Sequence, residues 1–368
     1  MSNLKNILFL LDLLLLNIIV CESGKDSKAY KEVPKGDLLK FRIGNCLGAY
    51  SGWDDAKVTK LAANVGYKGQ RKKIPESHFA TWGYGIEIDD SKYCNSVEIY
   101  DLVGYLHTPT SEHSSRPNTS VSTESYPPSN LYEPIWKSDG VTVNPDNYWA
   151  NYIYNTVTNY KPYVKIWEVW NEPDYVGGNW QVVAGWETSP PSSRDLLSWH
   201  GTIFEYIRLL RITYEVVKSV DPTAYVATGG IGYPTFLDSI LRYTDEPNGG
   251  AISSDYPLYG GAYFDCVAFH QYPQYGVTDS ETGQKYDTMG SDSLSMRAAI
   301  LKKNFVTVLK KYKFDGETYP KKIFVLTETE VASESLQGVV GRDEVRRNFV
   351  LKMPLRALKY DISKFISL

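Results

Sequence analysis

The chain has 368 residues, enough to bury a large core and, for a barrel, still compatible with one domain. Its formal net charge is −4, with acids and bases mixed along the chain, which argues against nucleic acid or an acidic membrane surface as the main partner. Aromatic residues make up 14%, including 29 Tyr and 9 Trp; flat amphipathic rings suit sugar faces, although most of them simply build core.

Residues 7–21 are nearly all apolar, broken only by Asp12 and Asn17, and Lys5 precedes them. At about 1.5 Å per residue such a stretch is short for a membrane span. It reads as a secretory signal over residues 1–23, so the mature protein is expected to be secreted or lumenal, without stable membrane insertion. An uncleaved anchor is the minor alternative. Cleavage leaves Cys46, Cys94 and Cys266, too few and too scattered for a disulfide scaffold or a metal cluster. An oxidising compartment would allow one bridge, with Cys46 to Cys94 as the candidate. Residues 24–38 read as a loose charged segment, and residues 39–368 as one folded unit.

Residues 39–47 read as the first strand. Val58, Leu61, Ala62 and Val65 are spaced like one face of a helix. Residues 66–73 read as the second strand, ending with Arg71 and a loop through Pro75. The third strand, 98–106, leads to His107. Residues 108–146 turn rich in Ser, Thr, Pro, Asn and Tyr; this is too long for an ordinary connection and reads as a functional loop or insertion. It carries Asn118-Thr119-Ser120, a glycan-acceptor triplet. A short helix over 148–160 leads to the stretch on which the chain is organised. That stretch, residues 165–174, reads Lys-Ile-Trp-Glu-Val-Trp-Asn-Glu-Pro-Asp. Strand alternation would put Glu168, Trp170 and Glu172 on one face, and Trp167, Val169 and Asn171 on the other. Two acids on one face of an aromatic strand are costly unless paired or used. Pro173 has no amide hydrogen for a sheet, so the strand ends there and leaves Glu172 at its carboxyl end.

A long loop over 175–191 follows. Ile203, Ile207, Leu210, Tyr214 and Val217 mark the clearest helix, with Asp195 or Ser198 as its cap and Asp221-Pro222 as its stop. Residues 225–228 form a strand ending at Gly229-Gly230; Phe236, Leu237, Ile240 and Leu241 mark a short helix. Residues 264–270 are the next strand, with a long loop through Gly290. Leu301, Phe305, Val308 and Tyr312 give another helical stripe. Residues 323–327 form an apolar strand ending in Glu328. A helix over 343–359 is bent or interrupted at Pro354. Residues 365–368 begin one more strand. Eight strands alternating with helices mean a parallel sheet with crossover helices. Long loops after strands three, four and six, against tight returns at 221–224 and 320–322, favour a closed (β/α)8 TIM barrel. The rival, an open doubly wound sheet, would want a Gly-rich phosphate turn after strand one, and Gly44-Asn45-Cys46-Leu47-Gly48 lacks that fingerprint.

Glu172 is one candidate carboxyl at a strand end. Val325-Leu326-Thr327-Glu328-Thr329-Glu330 supplies a second, and spacing alone leaves Glu328 and Glu330 open. The decapeptide around Asn171-Glu172-Pro173 resembles the acid/base motif of clan A glycoside hydrolases, and Thr327-Glu328 resembles that clan's strand-seven nucleophile. The resemblance therefore implies Glu172 as acid/base and Glu328 as nucleophile, with Glu330 in reserve. It also implies that Tyr272 hydrogen-bonds the nucleophile and that His270 lines the site beside the acid/base. Asn171 would bond the sugar 2-hydroxyl, Arg71 would hold the nucleophile ionised, and His107 would line the site. Trp170, Trp180 and Trp186 are candidates for stacking on sugar rings. Residues 208–230 are similar to the corresponding part of the β-xylosidase and α-iduronidase family, glycoside hydrolase family 39.

The activity so implied is a secreted retaining glycosidase acting on an oligo- or polysaccharide. Glu328 would stay ionised beside Arg71 and Tyr272; Glu172, among aromatics, would keep its proton longer and act as acid, then base. No metal or organic cofactor is required. The clan places a Trp after strand eight, whereas this sequence stops within that strand; the expectation is a barrel incomplete at its C-terminal end, either because strand eight is truncated in the sequence or because the barrel closes incompletely, which would put activity in doubt. A catalytically inactive sugar-binding barrel and a transglycosylase are the alternatives.

Overall fold

The computed structural model describes residues 42–46, 52–273, 290–332 and 343–367. The expected loop following strand six and the residues expected as a signal lie largely or wholly outside them. Eight parallel strands form a closed ring in sequence order: β1 (Arg42–Cys46), β2 (Gly69–Pro75), β3 (Asp101–His107), β4 (Val164–Val169), β5 (Tyr225–Ala227), β6 (Cys266–Gln271), β7 (Ile323–Thr329) and β8 (Lys364–Ser367). The described helices are α1 (Asp55–Asn64), α2 (Glu76–Trp82), α3 (Gly85–Ser96), α4 (Tyr148–Tyr160), α5 (Gln181–Gly185), α6 (Ile203–Val220), α7 (Pro234–Arg242), α8 (Ser291–Lys311) and α9 (Asp343–Lys359). Short β8 pairs with β1 from Arg42↔Lys364 to Asn45↔Ser367, and with β7 at Val325↔Lys364 and Leu326↔Phe365. The ring is therefore closed by a β8 of 4 residues, which corrects the expectation of incomplete closure.

Strand alternation divides the core in two. Val103, Ile166, Ala268, Val325 and Ile366 fill the inside of the ring. Trp167, Val169, Phe269 and Phe365 face outward and pack against the helices, with Trp149, Trp199 and Tyr206. Helix α6 buries Ile203, Ile207, Leu210 and Val217 in that layer. Its cap is Thr202, in a reciprocal capping box with Glu205, and not Asp195 or Ser198. The apolar stripe located the helix but could not choose among nearby oxygens.

Other boundaries also moved. Helix α1 buries Thr59 and Ala62, while Leu61 and Val65 are exposed. Gln70 Nε2 on β2 donates to Thr59 Oγ1 (3.2 Å), and this polar pair, not the larger apolar residues, sets the inner face. Strand β2 runs on to Pro75, opposite His107 of β3, so Arg71 sits mid-strand. Helices α2 and α3, which the apolar pattern did not mark, fill the connection that follows. Helix α9 runs unbroken through Pro354, anchored by buried Phe349, Met353 and Ala357. Cys46, Cys94 and Cys266 are free thiols. Cys94 Sγ lies 3.3 Å from Gln70 Oε1, outside the ring, and Cys46 Sγ lies 4.0 Å from the Arg71 carbonyl. Cys94 packs on the helix side of β2, and the candidate bridge is not formed. Asn118 of the acceptor triplet is exposed.

Candidate active site

The end of β4 departs from strand geometry. Trp170 has φ 76° and Glu172 φ 47°, left-handed values that cost a non-glycine residue about 1–3 kcal/mol each. Hydrogen bonds to both neighbouring strands hold the turn: Trp170 N to Leu106 O (3.0 Å) and Glu172 N to Gly229 O (2.6 Å). Trp170 swings outward, where Nε1 donates to Ser198 O (2.7 Å) and the ring packs on Trp199 (4.9 Å) and His107 (4.4 Å). Asn171 takes the inner side, with Oδ1 accepting from Arg71 Nη2 (2.8 Å). The expected alternation is thus reversed after Val169, because one positive-φ residue breaks the two-residue period.

Seven sequence positions can now be located. Glu172 and Glu328 meet at the carboxyl-terminal mouth. His270 on β6 stands between them, with Nδ1 at 2.9 Å from Glu172 Oε1 and 3.6 Å from Glu328 Oε2. One donor atom from each of these three residues lies within 4.8 Å of the others. Arg71 Nη1 pairs with Glu328 Oε1, and Tyr272 OH donates to Glu328 Oε2 (2.5 Å). His107 is buried behind the β4 end, against Trp170 and Thr108 Oγ1 (2.7 Å). Its contacts do not reach either carboxyl, and burial, with Lys73 and Arg71 nearby, pushes its pKa down to about 3, so the ring is neutral. Glu172, His270 and Glu328 are also the described side chains that converge enough to share a cation; their hydrogen bond already occupies Nδ1 and Oε1.

Charge is divided by these contacts. Burial works against ionising Glu328, but the charges of His270 and Arg71 and the bonds from Tyr272 and Arg71 outweigh it and hold its pKa below the usual value. Burial likewise opposes a charge on His270, and Glu328 and Glu172 reverse that, raising its pKa. Burial and Glu328 push the Tyr272 phenol far up, so it stays a proton donor. Glu330, the reserve candidate, pairs with Arg346 of α9 instead, and burial raises its pKa.

The other acid of the strand, Glu168, is fully buried inside the ring. It accepts from Arg71 Nε (2.7 Å) and Nη2 (3.1 Å) and from Thr327 Oγ1 (3.1 Å). One guanidinium thus bridges Glu168, Asn171 and Glu328. Sequence reasoning named Arg71 but not this partner, since the two are 97 residues apart. It also missed Asp174, which is buried and accepts from the Gly232 and Tyr233 amides (2.8 Å each), tying the Glu172 loop to the β5 loop. Burial raises the pKa of Asp174 to about 7. Gly230, at φ 66°, lies so close to His270 that a Cβ would stand 2.2 Å from Nε2. Of the stacking candidates, Trp186 is buried against Tyr233 and Phe236, and Trp170 is buried as well; Trp180 alone of the three is open to solvent.

No protein-family model matches the sequence, and no curated protein matches it by sequence. Solved structures do match its fold. A family 39 glycoside hydrolase from the gut symbiont Bacteroides cellulosilyticus is similar at TM-score 0.52 and 14% identity, over 91% of this chain and 58% of that one. A glucosidase from Croceicoccus marinus is similar at TM-score 0.54 and 12% identity, over 92% and 61%. A broad-specificity endoglucanase from an uncultured bacterium is similar at TM-score 0.51 and 11% identity, over 92% and 89%. The chain thus spans about three fifths of the length of the first two. What is shared at these identities is the (β/α)8 barrel.

Proposed function

We propose that the protein is a retaining glycoside hydrolase with Glu172 as acid/base and Glu328 as nucleophile. The observation that carries this reading is the approach of the two carboxylates, with oxygens within 4.8 Å of one another. Retaining enzymes hold the pair about 5–5.5 Å apart, whereas inverting ones need about 6.5–9.5 Å to admit water. The different surroundings of the two acids support the division of labour. Glu328 has a cation, a phenol and an imidazole to keep it ionised; Glu172 is more open and faces a cavity.

In the first step Glu328 Oε attacks the anomeric carbon. The glycosidic C–O bond breaks, and Glu172 gives its proton to the departing oxygen. A glycosyl ester on Glu328 remains. In the second step Glu172, now a carboxylate, takes a proton from water as that water attacks the anomeric carbon. The ester bond breaks, Glu328 is restored, and the sugar leaves with its original configuration. Both steps balance with these two side chains and water. Arg71 would hold Glu328 in line for attack, and Asn171, fixed by the same guanidinium, would meet the sugar 2-hydroxyl. The apolar stretch at residues 7–21 supports a secretory route, and none of the described helices is long and apolar enough to cross a membrane.

The test is turnover of aryl glycosides by the unaltered protein and by Glu172→Gln and Glu328→Gln. Loss in both variants, with folding retained, supports the reading. Sugar binding without turnover by the unaltered protein would support the inactive barrel instead.

A further inference from the structure

A cavity of about 580 Å3 opens beside Glu172. That size lies within the range of about 300–1,000 Å3 usual for small-ligand sites. Glu172 lines it, and Glu328 does not. If Glu172 is the acid, this is the side on which the leaving group departs, because the proton must reach the departing oxygen. The inference rests on that reading of the two carboxyls and extends it to the substrate.

The wall is aromatic and built in depth. Trp180, 47% exposed, stands edge-on to Tyr233 at 6.1 Å, and buried Trp186 backs Tyr233 at 5.8 Å. Tyr175 and Tyr272 also line the cavity. The Tyr233 amide is held by Asp174, two residues after Glu172, so wall and acid share one support. A half-exposed indole braced from behind offers a preformed face for the apolar side of a sugar ring.

Charge narrows the choice. No Lys or Arg is among the described residues lining the cavity, whereas Glu172 and Asp174 are. An anionic unit would meet the Glu172 and Asp174 carboxyls, and the imidazole on the described wall, His270, already spends Nδ1 on Glu172 (2.9 Å), an arrangement that opposes binding. We infer that this cavity is the subsite for a neutral saccharide leaving unit, stacked on Trp180, and that the substrate is cleaved between two sugars and not from a small aglycone.

The test compares the unaltered protein with Trp180→Ala on β-glucosyl and β-xylosyl fluorides and on the matching neutral β-linked disaccharides. Fluoride is one atom and leaves the cavity empty. Trp180→Ala should lower kcat/KM for the disaccharide by about tenfold or more, the order for a desolvated aromatic contact, and leave the fluoride within about twofold. A disaccharide with glucuronic acid at the leaving end should be a poorer substrate than its neutral counterpart. Equal losses on fluoride and disaccharide, no loss on the disaccharide, or preference for the glucuronate would each overturn the inference. Fluoride turnover by the unaltered protein with none of the disaccharides would overturn it too, while leaving the glycosidase reading in place. No turnover of fluorides or disaccharides would count against that reading itself, and against this one with it.

Discussion

Replacing Arg71 with Met tests the polar centre of the barrel. Arg71 and Glu168 have side-chain exposures of 1% and 0%, and Glu168 would keep the Thr327 hydroxyl (3.1 Å) and, with no hydrogen bond, His270 Nε2 at 3.8 Å. Removing one partner of a buried ion pair leaves an uncompensated charge and costs about 3–5 kcal/mol. In chains of about 150–250 residues each kcal/mol lowers the melting temperature by roughly 2–4 °C, and less in longer ones, so a fall of roughly 5–10 °C is expected. Urea unfolding followed by tryptophan fluorescence would give the free energy directly. The double variant Arg71→Met/Glu168→Met should recover most of the stability, since apolar side chains commonly replace buried pairs without loss. It should not recover turnover, because Glu328 still lacks its cation. A single variant within about 1 kcal/mol of the unaltered protein, or a double variant no more stable than the single, would refute the reasoning.

Four further outcomes follow from the contacts. Tyr272→Phe removes a hydrogen bond to an ionised carboxylate, worth about 1.5–3 kcal/mol, so kcat/KM should fall roughly ten- to a hundredfold. As the proposed nucleophile, Glu328 would have to be ionised to attack, and it is held below its ordinary pKa, so activity should be lost as pH falls through that lowered value; without the phenol the loss should begin at higher pH, and a pH–rate profile reads this. Gly230→Ala would drive a methyl into His270 and force alanine to φ 66°; activity should fall by about a hundredfold in a protein whose circular dichroism still shows the barrel. Asp174 keeps its proton to about pH 7 when folded, while the unfolded chain releases it near the ordinary value of 3.8; stability should therefore decline as pH rises from about 4 to about 7, and Asp174→Asn should flatten that decline in pH-dependent urea melts.

The barrel was legible because its strands are apolar runs and its helices repeat at helical spacing. The run from Val164 to Val169 and the stripe from Ile203 to Val217 are both where periodicity put them. Glu172 and Glu328 could be singled out because each follows an apolar strand and is part of a motif. Their neighbours were harder. The left-handed turn at Trp170 is imposed by hydrogen bonds to β3 and by outward packing on Trp199, neither visible in alternation. Helices α2 and α3 follow a strand whose end was misplaced, because Pro75 is tolerated as its last residue. Glu168, Asp174 and Gly230 act through partners on other strands. Only the closed ring brings Glu168 to Arg71, Asp174 to the Tyr233 amide and Gly230 to His270.

The central claim is that one carboxylate of the pair bonds covalently to the sugar. Reaction with 2-deoxy-2-fluoroglycosyl fluorides, followed by digestion and peptide mass spectrometry, should find the glycosyl ester on Glu328. A label on Glu330 or any other carboxylate, or an unlabelled protein that releases product of inverted configuration, would contradict it.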